Sequence, residues 1–219
     1  MQQYLDVADY WGTYYGKREA PVLPSQFAVF IANEILTGEL PAVRTIVELG
    51  CGNGRDSLFF LRHGFSVRGL DGSPEAIAAC QEGLEAQSSA IQAQATFRHG
   101  AADSRESWDW LGDMPEGPVL IYARFFFHAI DRETGAAVLA QAARLLSRRG
   151  GALCAEFRTD QDAAAAKVTP THYRRFIAPD DFAAQLAAGM DVAWRSEGRG
   201  MAKYRSDDAH VARFIAQTR

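Results

Sequence analysis

A short glycine-rich segment, VELGCGNGRDS, contains the residues of this chain whose types and spacing best suit ligand binding. Its chemistry rests on Glu48, Gly50, Gly52 and Gly54. Glycine permits positive backbone φ and lets a bound molecule approach the main chain, and the helix predicted to follow offers unpaired N–H groups. Asp71 ends the next apolar run, where its carboxylate can accept hydrogen bonds from both hydroxyls of a ribose. This combination predicts a nucleotide-cofactor site.

Two details of the segment separate the possible cofactors. The dinucleotide fingerprint G-x-G-x-x-G needs glycine at position 55, where this chain has Arg55. Glu48 would repel the two phosphates of a dinucleotide, whereas a cationic ligand tolerates it. A cationic nucleoside cofactor is therefore favoured, and a nicotinamide-dependent oxidoreductase is the alternative.

Strand-like and helix-like patterns alternate around this segment. The strand-like runs are VRTIVEL (43–49), FSVRGL (65–70), ATFRHG (95–100), PVLIYAR (118–124) and GALCAEF (151–157). Between them lie the helical segments RDSLFFLRHG, SPEAIAACQEGLEAQ, ADSRESWDWL and DRETGAAVLAQAARLLSRRG. Ser73 and Asp131 are predicted N-caps, and Asp56 with Ser57 is expected to cap the first helix. The alternation predicts an α/β fold with helices on both faces of a mostly parallel sheet, an αβα sandwich.

The ends of the chain differ from this central pattern. After a long loop and a helix from Pro179, the runs DVAWRSEGR and HVARFIAQ are predicted to form an antiparallel pair that closes the sheet edge. An aromatic leader and the helix PSQFAVFIANEIL precede the sheet. We therefore divide the chain into an N-terminal segment, 1–42, and a main domain, 43–219.

Composition excludes several classes of protein. With 219 residues, a net charge of -4 and a pI near 5.7, the chain has no bulk attraction for nucleic acid or an anionic membrane. Cys51, Cys80 and Cys154 are far apart and form no CxxC pair, so no metal site or disulfide is predicted. Neither a basic, apolar leader nor an eighteen-residue apolar run is present, and we expect a cytoplasmic protein.

VELGCGNGRDS followed by VRGLDGS resembles the first two motifs of the class I S-adenosylmethionine (SAM) methyltransferases, and the resemblance extends from Val43 to Phe157. It implies a Rossmann-like seven-stranded sheet with an antiparallel C-terminal strand, with SAM as cofactor and S-adenosylhomocysteine (SAH) as product. Asp71 would bind the ribose, and Ala102 with Asp103 would take the adenine amino edge. The cofactor residues so implied are Glu48, Gly50, Cys51, Gly52, Gly54, Asp71, Gly72, Ser73, Ala102, Asp103 and Ala123.

The run ARFFFHAI after the fourth strand raises the question of catalysis. His128 lies just past the strand end, where a neutral imidazole can take the acceptor's proton; the alternative is a loop histidine bonded to backbone. Arg124 would clamp a substrate anion, anchor the cofactor's carboxylate or form a structural ion pair. Of the three phenylalanines, Phe127 is assigned to the acceptor pocket.

Two further segments are predicted to reach the same edge of the sheet. In the leader, the resemblance implies that Tyr10, Trp11, Tyr14 and Tyr15 form a lid that excludes water and contacts the sulfonium, with Tyr14 and Tyr15 assisting catalysis. The alternative is that these aromatic residues only anchor the N-terminal segment to the core. In the loop THYRRFIAP, the candidate acceptor contacts are His172, Tyr173, Arg174 and Arg175. The paired arginines suggest an acidic acceptor, whereas Glu156 would contact a basic one, so the charge of the acceptor is open.

The resulting hypothesis is a methyltransferase that acts on a small molecule, with O-methylation favoured over N-methylation. The resemblance extends to enzymes associated with capsular polysaccharide or secondary metabolism. The asparagine-proline-proline-tyrosine motif of amino-group and base methylation is absent, because the fourth strand ends in YARFFF. A non-catalytic SAM-binding module is a further alternative, and the oligomeric state is not predicted.

Overall fold

The computed structural model describes residues 7–17, 20–165, 167 and 172–219. The first six residues of the aromatic leader, residues 18 and 19 within it, and Thr171 at the start of THYRRFIAP lie outside the described residues.

The described chain contains helices α1 Val7–Gly16, α2 Gln26–Thr37, α3 Arg55–Arg62, α4 Pro74–Glu85, α5 Ser89–Gln92, α6 Arg105–Gly112, α7 Arg132–Arg149 and α8 Pro179–Leu186. Its strands are β1 Thr45–Leu49, β2 Ser66–Asp71, β3 Ala95–His99, β4 Val119–Arg124, β5 Gly151–Arg158, β6 Met190–Gly198, β7 Lys203–Tyr204, β8 Asp207–Asp208 and β9 Val211–Thr218. The five predicted central strands and the helices between them are all present.

Seven strands form one sheet in the order β3-β2-β1-β4-β5-β9-β6. Strands β1 to β5 are parallel, whereas β9 is antiparallel to both β5 and β6. The α/β prediction with an antiparallel C-terminal strand is confirmed. The chain leaves β1 for β2 on one side and returns to β4 on the other, so the strand order reverses between β1 and β4. Ligands of such sheets bind at the carboxyl ends of the strands beside this reversal.

Alternating residues of the central strands enter two different cores. Val47, Leu49 and Ile121 pack under α7, and Ile46 with Leu120 packs under α2 and α3 on the opposite face. Helices on both faces therefore bury the central strands, which explains the nearly continuous apolar runs in the sequence.

The predicted caps have different outcomes. Ser73 accepts the Ala76 N–H at 3.2 Å and caps α4, and Asp131 accepts the Thr134 N–H and caps α7. The prediction for α3 is wrong, because Gly54 holds the N-cap position with φ +74° and no side-chain cap. Asp56 is buried and accepts hydrogen bonds from the Ser25 N–H, the Ser25 hydroxyl and the Tyr122 hydroxyl, and it thereby anchors the segment before α2 to the core.

The two C-terminal runs pair as predicted, but a small hairpin lies between them. Strands β7 and β8 form a separate two-stranded sheet that projects from the connection between β6 and β9. The Arg205 backbone has φ +54° at its turn. Within the described ranges, none of the helices has the length and apolar character needed to cross a bilayer.

Candidate active site

One cavity of about 960 Å³ lies at the carboxyl ends of β1, β2, β4 and β5. Its walls come from the glycine turn after β1, from α1 and the segment before α2, from the chain after β4, from residues 172 and 174, and from the β7–β8 hairpin. Its size is in the range of small-molecule sites. Segments distant in sequence therefore face one enclosed volume.

The glycine turn and Asp71 form the first end of the cavity. The N–H groups of Gly50 and Cys51 donate to the Leu70 carbonyl at 2.8 and 3.2 Å. Asp71 accepts the Gly52 N–H at 2.8 Å and the Ser73 N–H at 2.9 Å, one on each carboxylate oxygen. Burial raises the pKa of Asp71, and these two N–H groups oppose the rise. The carboxylate is therefore fixed in direction and keeps lone pairs for a ligand.

The turn leaves no room for side chains. Gly52 has φ +55°, and a Cβ atom added there would lie 2.5 Å from the Tyr15 hydroxyl oxygen. Gly50, with φ +69°, would place a Cβ 3.0 Å from the Phe126 ring. These two positions therefore require glycine because of both backbone conformation and close approach.

Glu48 and Cys51 form the floor at this end. Glu48 is buried and accepts a hydrogen bond from the Ser57 hydroxyl. Burial, followed by the neighbouring charge of Asp56, raises the pKa of Glu48 well above its usual range. The Cys51 sulfur lies 3.8 Å from that of Cys80, and this contact together with burial raises the pKa of the Cys51 thiol. Burial therefore disfavours the ionised form of both groups.

His128 lies at the opposite end of the cavity. It is buried, and its Nδ1 accepts the Arg158 backbone N–H at 3.2 Å. Burial, then the positive charges of Arg174 and Arg158, holds the pKa of His128 well below its usual range. A neutral imidazole whose Nδ1 accepts a hydrogen bond carries its proton on Nε2. The hydrogen bond to the Arg158 backbone matches the alternative of a loop histidine bonded to backbone, and the role of His128 as a base stays a prediction.

Arg124 is held beside His128 by a buried carboxylate. Its Nε lies 2.9 Å from Glu156 Oε1, and Arg213 Nε donates to Glu156 Oε2 at 2.7 Å. Glu156 has no exposed surface and does not line the cavity. This placement corrects the predicted contact between Glu156 and a basic acceptor, because both of its oxygens are engaged by arginines.

Residues 46–150 match the family model described as a methyltransferase domain. Just under half of the chain is therefore similar to a methyltransferase domain. No curated protein sequence matches the chain at a significant level. The matched residues run from β1 to the end of α7 and include the glycine turn and Asp71.

Several solved structures share the architecture of the methyltransferase domain and its flanking segments. A SAM-dependent methyltransferase from Anabaena variabilis is 18% identical with a TM-score of 0.71, over 100% of this chain and 98% of that one. The glycopeptide N-methyltransferase MtfA with SAH is 16% identical, TM-score 0.66, over 100% of both chains. Magnesium protoporphyrin IX methyltransferase from Synechocystis PCC 6803 with bound SAH is 15% identical, TM-score 0.67, over 97% of this chain and 98% of that one. The fold is that of the class I SAM-dependent methyltransferases.

The leader and the loop after β5 meet over the cavity of the methyltransferase domain. The Tyr10 ring stacks on the His172 ring with centroids 3.8 Å apart, and Trp11 approaches the same ring at 5.3 Å. Gly12 faces the Glu75 side chain, so α1 rests on the start of α4. The predicted convergence of these two segments on one edge is therefore present in the structure.

Fifteen of the predicted site residues line the cavity. They are Tyr10, Trp11, Tyr14, Tyr15, Glu48, Gly50, Cys51, Gly52, Asp71, Gly72, Ser73, Arg124, His128, His172 and Arg174. Eight do not, namely Gly54, Ala102, Asp103, Ala123, Phe127, Glu156, Tyr173 and Arg175.

The structure shows what surrounds several of the eight predicted residues that do not line the cavity. Gly54 faces Cys80, and Ala123 is buried in the core. Arg175 donates to the Phe127 carbonyl at 3.2 Å. The adenine contact of Ala102 and Asp103, which follow β3, stays a prediction.

The assignment of Phe127 to the acceptor pocket is wrong. It is fully buried and packs edge-on against Phe182 with centroids 5.0 Å apart. Phe125 and Phe126 line the cavity instead. Phe125 has φ +55°, a strained conformation for a phenylalanine, and its ring lies 4.2 Å from the Arg124 guanidinium carbon. Strain of this kind is common where a chain must aim side chains into a site.

Several residues that line the cavity escaped sequence reasoning. They are Ser25, Asn53, Arg55, Arg158, Lys203, Tyr204, Arg205 and Asp207. Arg158 ends β5 as Arg124 ends β4, so the strand-end rule contained the signal for it. The hairpin residues carried no signal, because their approach to the cavity depends on how β6 and β9 pair.

Proposed function

We propose that this chain is a SAM-dependent methyltransferase (EC 2.1.1.-) that methylates a small molecule. The observation that carries the proposal is a single cavity that joins the glycine turn and Asp71 to a compartment beneath α1. The matched methyltransferase domain supports the reaction class. The bound SAH of the two structural neighbours supports SAM as the cofactor.

The residues at the glycine turn fit SAM. Asp71 offers a fixed carboxylate for ribose hydroxyls, and the bare turn lets an amino-acid tail lie against the main chain. Glu48 and the aromatic rings of Trp11 and Tyr15 suit a positively charged ligand. When bound, SAM supplies an electrophilic methyl group on a sulfonium.

The residues at the opposite end position the acceptor. The α1 aromatics and His172 exclude water, and His128 Nε2–H donates a hydrogen bond to the accepting atom. Burial raises the pKa of Tyr14, so its hydroxyl remains protonated at neutral pH and also acts as a donor. Positioning and desolvation therefore supply most of the rate, and the lid tyrosines orient the acceptor rather than remove its proton.

O-methylation remains ahead of N-methylation in this proposal. An acceptor oxygen that has given its proton to solvent keeps more than one lone pair, so it would accept a hydrogen bond from His128 and still attack the methyl group. A neutral amine has one lone pair and cannot do both. The proposed setting is capsular polysaccharide or secondary metabolism in the cytoplasm.

Calorimetric titration of the purified protein with SAM, SAH and NADH tests the cofactor. Saturable binding of the two adenosyl compounds alone is the expected result. Binding of NADH alone favours the oxidoreductase alternative, and binding of none of the three overturns the proposal. An acceptor screen with methyl-labelled SAM then separates an enzyme from a non-catalytic SAM-binding module.

A further inference from the structure

Positive side chains from four separate parts of the fold line the end of the cavity that faces away from the glycine turn. They are Arg124 after β4, Arg158 after β5, Arg174 in the loop before α8, and Lys203 with Arg205 on the β7–β8 hairpin. Among the described residues, the carboxylates that line the cavity are Asp207 on the hairpin and Glu48, Asp56 and Asp71 in or after β1 and β2, and the charge of Asp56 also acts on Arg124. The charge at this end is therefore predominantly positive.

The buried acids near this end are already engaged. Arg158 pairs with Asp162 at 2.5 Å and also with Asp207, so its charge is compensated. Glu156 is shared between two arginines. Among the described carboxylates, none lies within ion-pair distance of Lys203 or Arg205; the Arg205 guanidinium lies 5.2 Å from the Tyr204 ring. The hairpin therefore contributes uncompensated positive charge.

The arginines also act on one another and on the lid. Burial, then the charge of Arg158, lowers the pKa of Arg174. Burial, then the neighbouring Tyr204, raises the pKa of Tyr14, and the charges of Arg55, Arg205 and Arg124 oppose this rise. Positive side chains clustered along a cavity attract an anion.

We propose that the methyl acceptor carries an anionic group, a carboxylate or a phosphate, and that Arg174, Lys203 and Arg205 bind it. This inference rests on the proposed function, because it assigns the acceptor to the same cavity. It resolves the open charge of the acceptor, since Glu156 is unavailable for a basic one. The lid over the cavity and the net charge of -4 favour a small anion over a nucleic-acid backbone.

The test measures binding of matched aromatic probes to the full chain saturated with SAH, by calorimetry at low ionic strength. The probes are benzoate, phenyl phosphate and the neutral isostere benzamide. We expect one anionic probe to bind at least about tenfold more tightly than benzamide. The tighter of the two anions identifies carboxylate or phosphate as the preferred group.

Two variants locate the anion site. Arg205→Gln, at an exposed hairpin turn, should weaken the preferred anion about tenfold and leave benzamide unchanged. Arg105→Gln, on the exposed face of α6, is the control and should bind like the wild type. Equal affinity for the three probes, no binding of any probe, or an unaffected Arg205→Gln variant would each overturn the inference. Failure of SAH to bind instead rejects the proposed function, and titration of the apo protein still measures the anion preference.

Discussion

The two ends of the cavity differ in how they are built. The glycine-turn end consists mainly of main chain, held by the Gly52 and Ser73 N–H groups on Asp71. The end that faces away from the glycine turn, beside the β7–β8 hairpin, is formed by side chains, chiefly arginines, from four separate parts of the fold. The first end suits a constant ligand, because main-chain geometry tolerates little variation. The second suits a variable ligand, because single side-chain changes alter its charge and shape.

The variant with the largest expected effect, Glu156→Gln, tests which residue stabilises the positively charged end of the cavity. Glu156→Gln leaves the buried Arg124 and Arg213 without their counter-charge, and we expect the free energy of unfolding to fall by about 3–5 kcal/mol. Denaturant unfolding measures this. Glu116→Gln, an exposed partner of Arg149, is the matched control and should change little. If both variants unfold alike, Glu156 is not the anchor of this end.

The next effect tests the glycine-turn end. Asp71→Ala removes the acceptor of two backbone N–H groups and the proposed acceptor of the ribose hydroxyls, so SAH affinity should fall about 100-fold. Calorimetry measures the change. Asp109→Ala, exposed on α6, serves as control. An unchanged affinity in a folded Asp71→Ala protein would remove Asp71 from the cofactor site.

A smaller effect separates a hydrogen-bond donor from a base at His128. His128→Ala should lower turnover about tenfold with SAH affinity unchanged, and His128→Gln should recover part of the loss because its amide still donates. The pKa of His128 lies well below the usual value, so the ring is already neutral above that lowered pKa. The wild-type pH–rate profile should therefore show no inflection near the ordinary histidine value of about 6.5. An inflection there that disappears in His128→Ala would support the base assignment.

The smallest effect concerns the lid that joins the two ends. Tyr10→Ala removes the ring stacked on His172, and we expect about threefold weaker SAH binding together with faster proteolysis of the N-terminal segment. Tyr10→Phe keeps the ring and should resemble the wild type. Equal loss in both variants would place the effect on the hydroxyl rather than on the stack.

Sequence reasoning succeeded where function depends on residues close together in the chain. The spacing from Glu48 through the glycines to Asp71 spans one β-turn-α-β unit, so local propensities suffice to bring these residues together. The same reasoning failed at Phe127, just after a predicted strand, and at Glu156, near the end of another, because both side chains are buried away from the cavity. Which neighbouring side chain faces the site depends on backbone twist after the strand, as at Phe125 with its positive φ.

By itself, the sequence determined the alternating α/β architecture, the glycine turn and the carboxylate at the end of β2, because periodicity and turn chemistry are local properties. Only the tertiary structure decided that the β7–β8 hairpin reaches the cavity and that Asp56 accepts hydrogen bonds from Ser25 and Tyr122. It also decided that Glu156 forms ion pairs with two arginines. These contacts join residues far apart in the chain, and their partners are selected by packing and charge compensation in the folded state rather than by any pattern along the sequence.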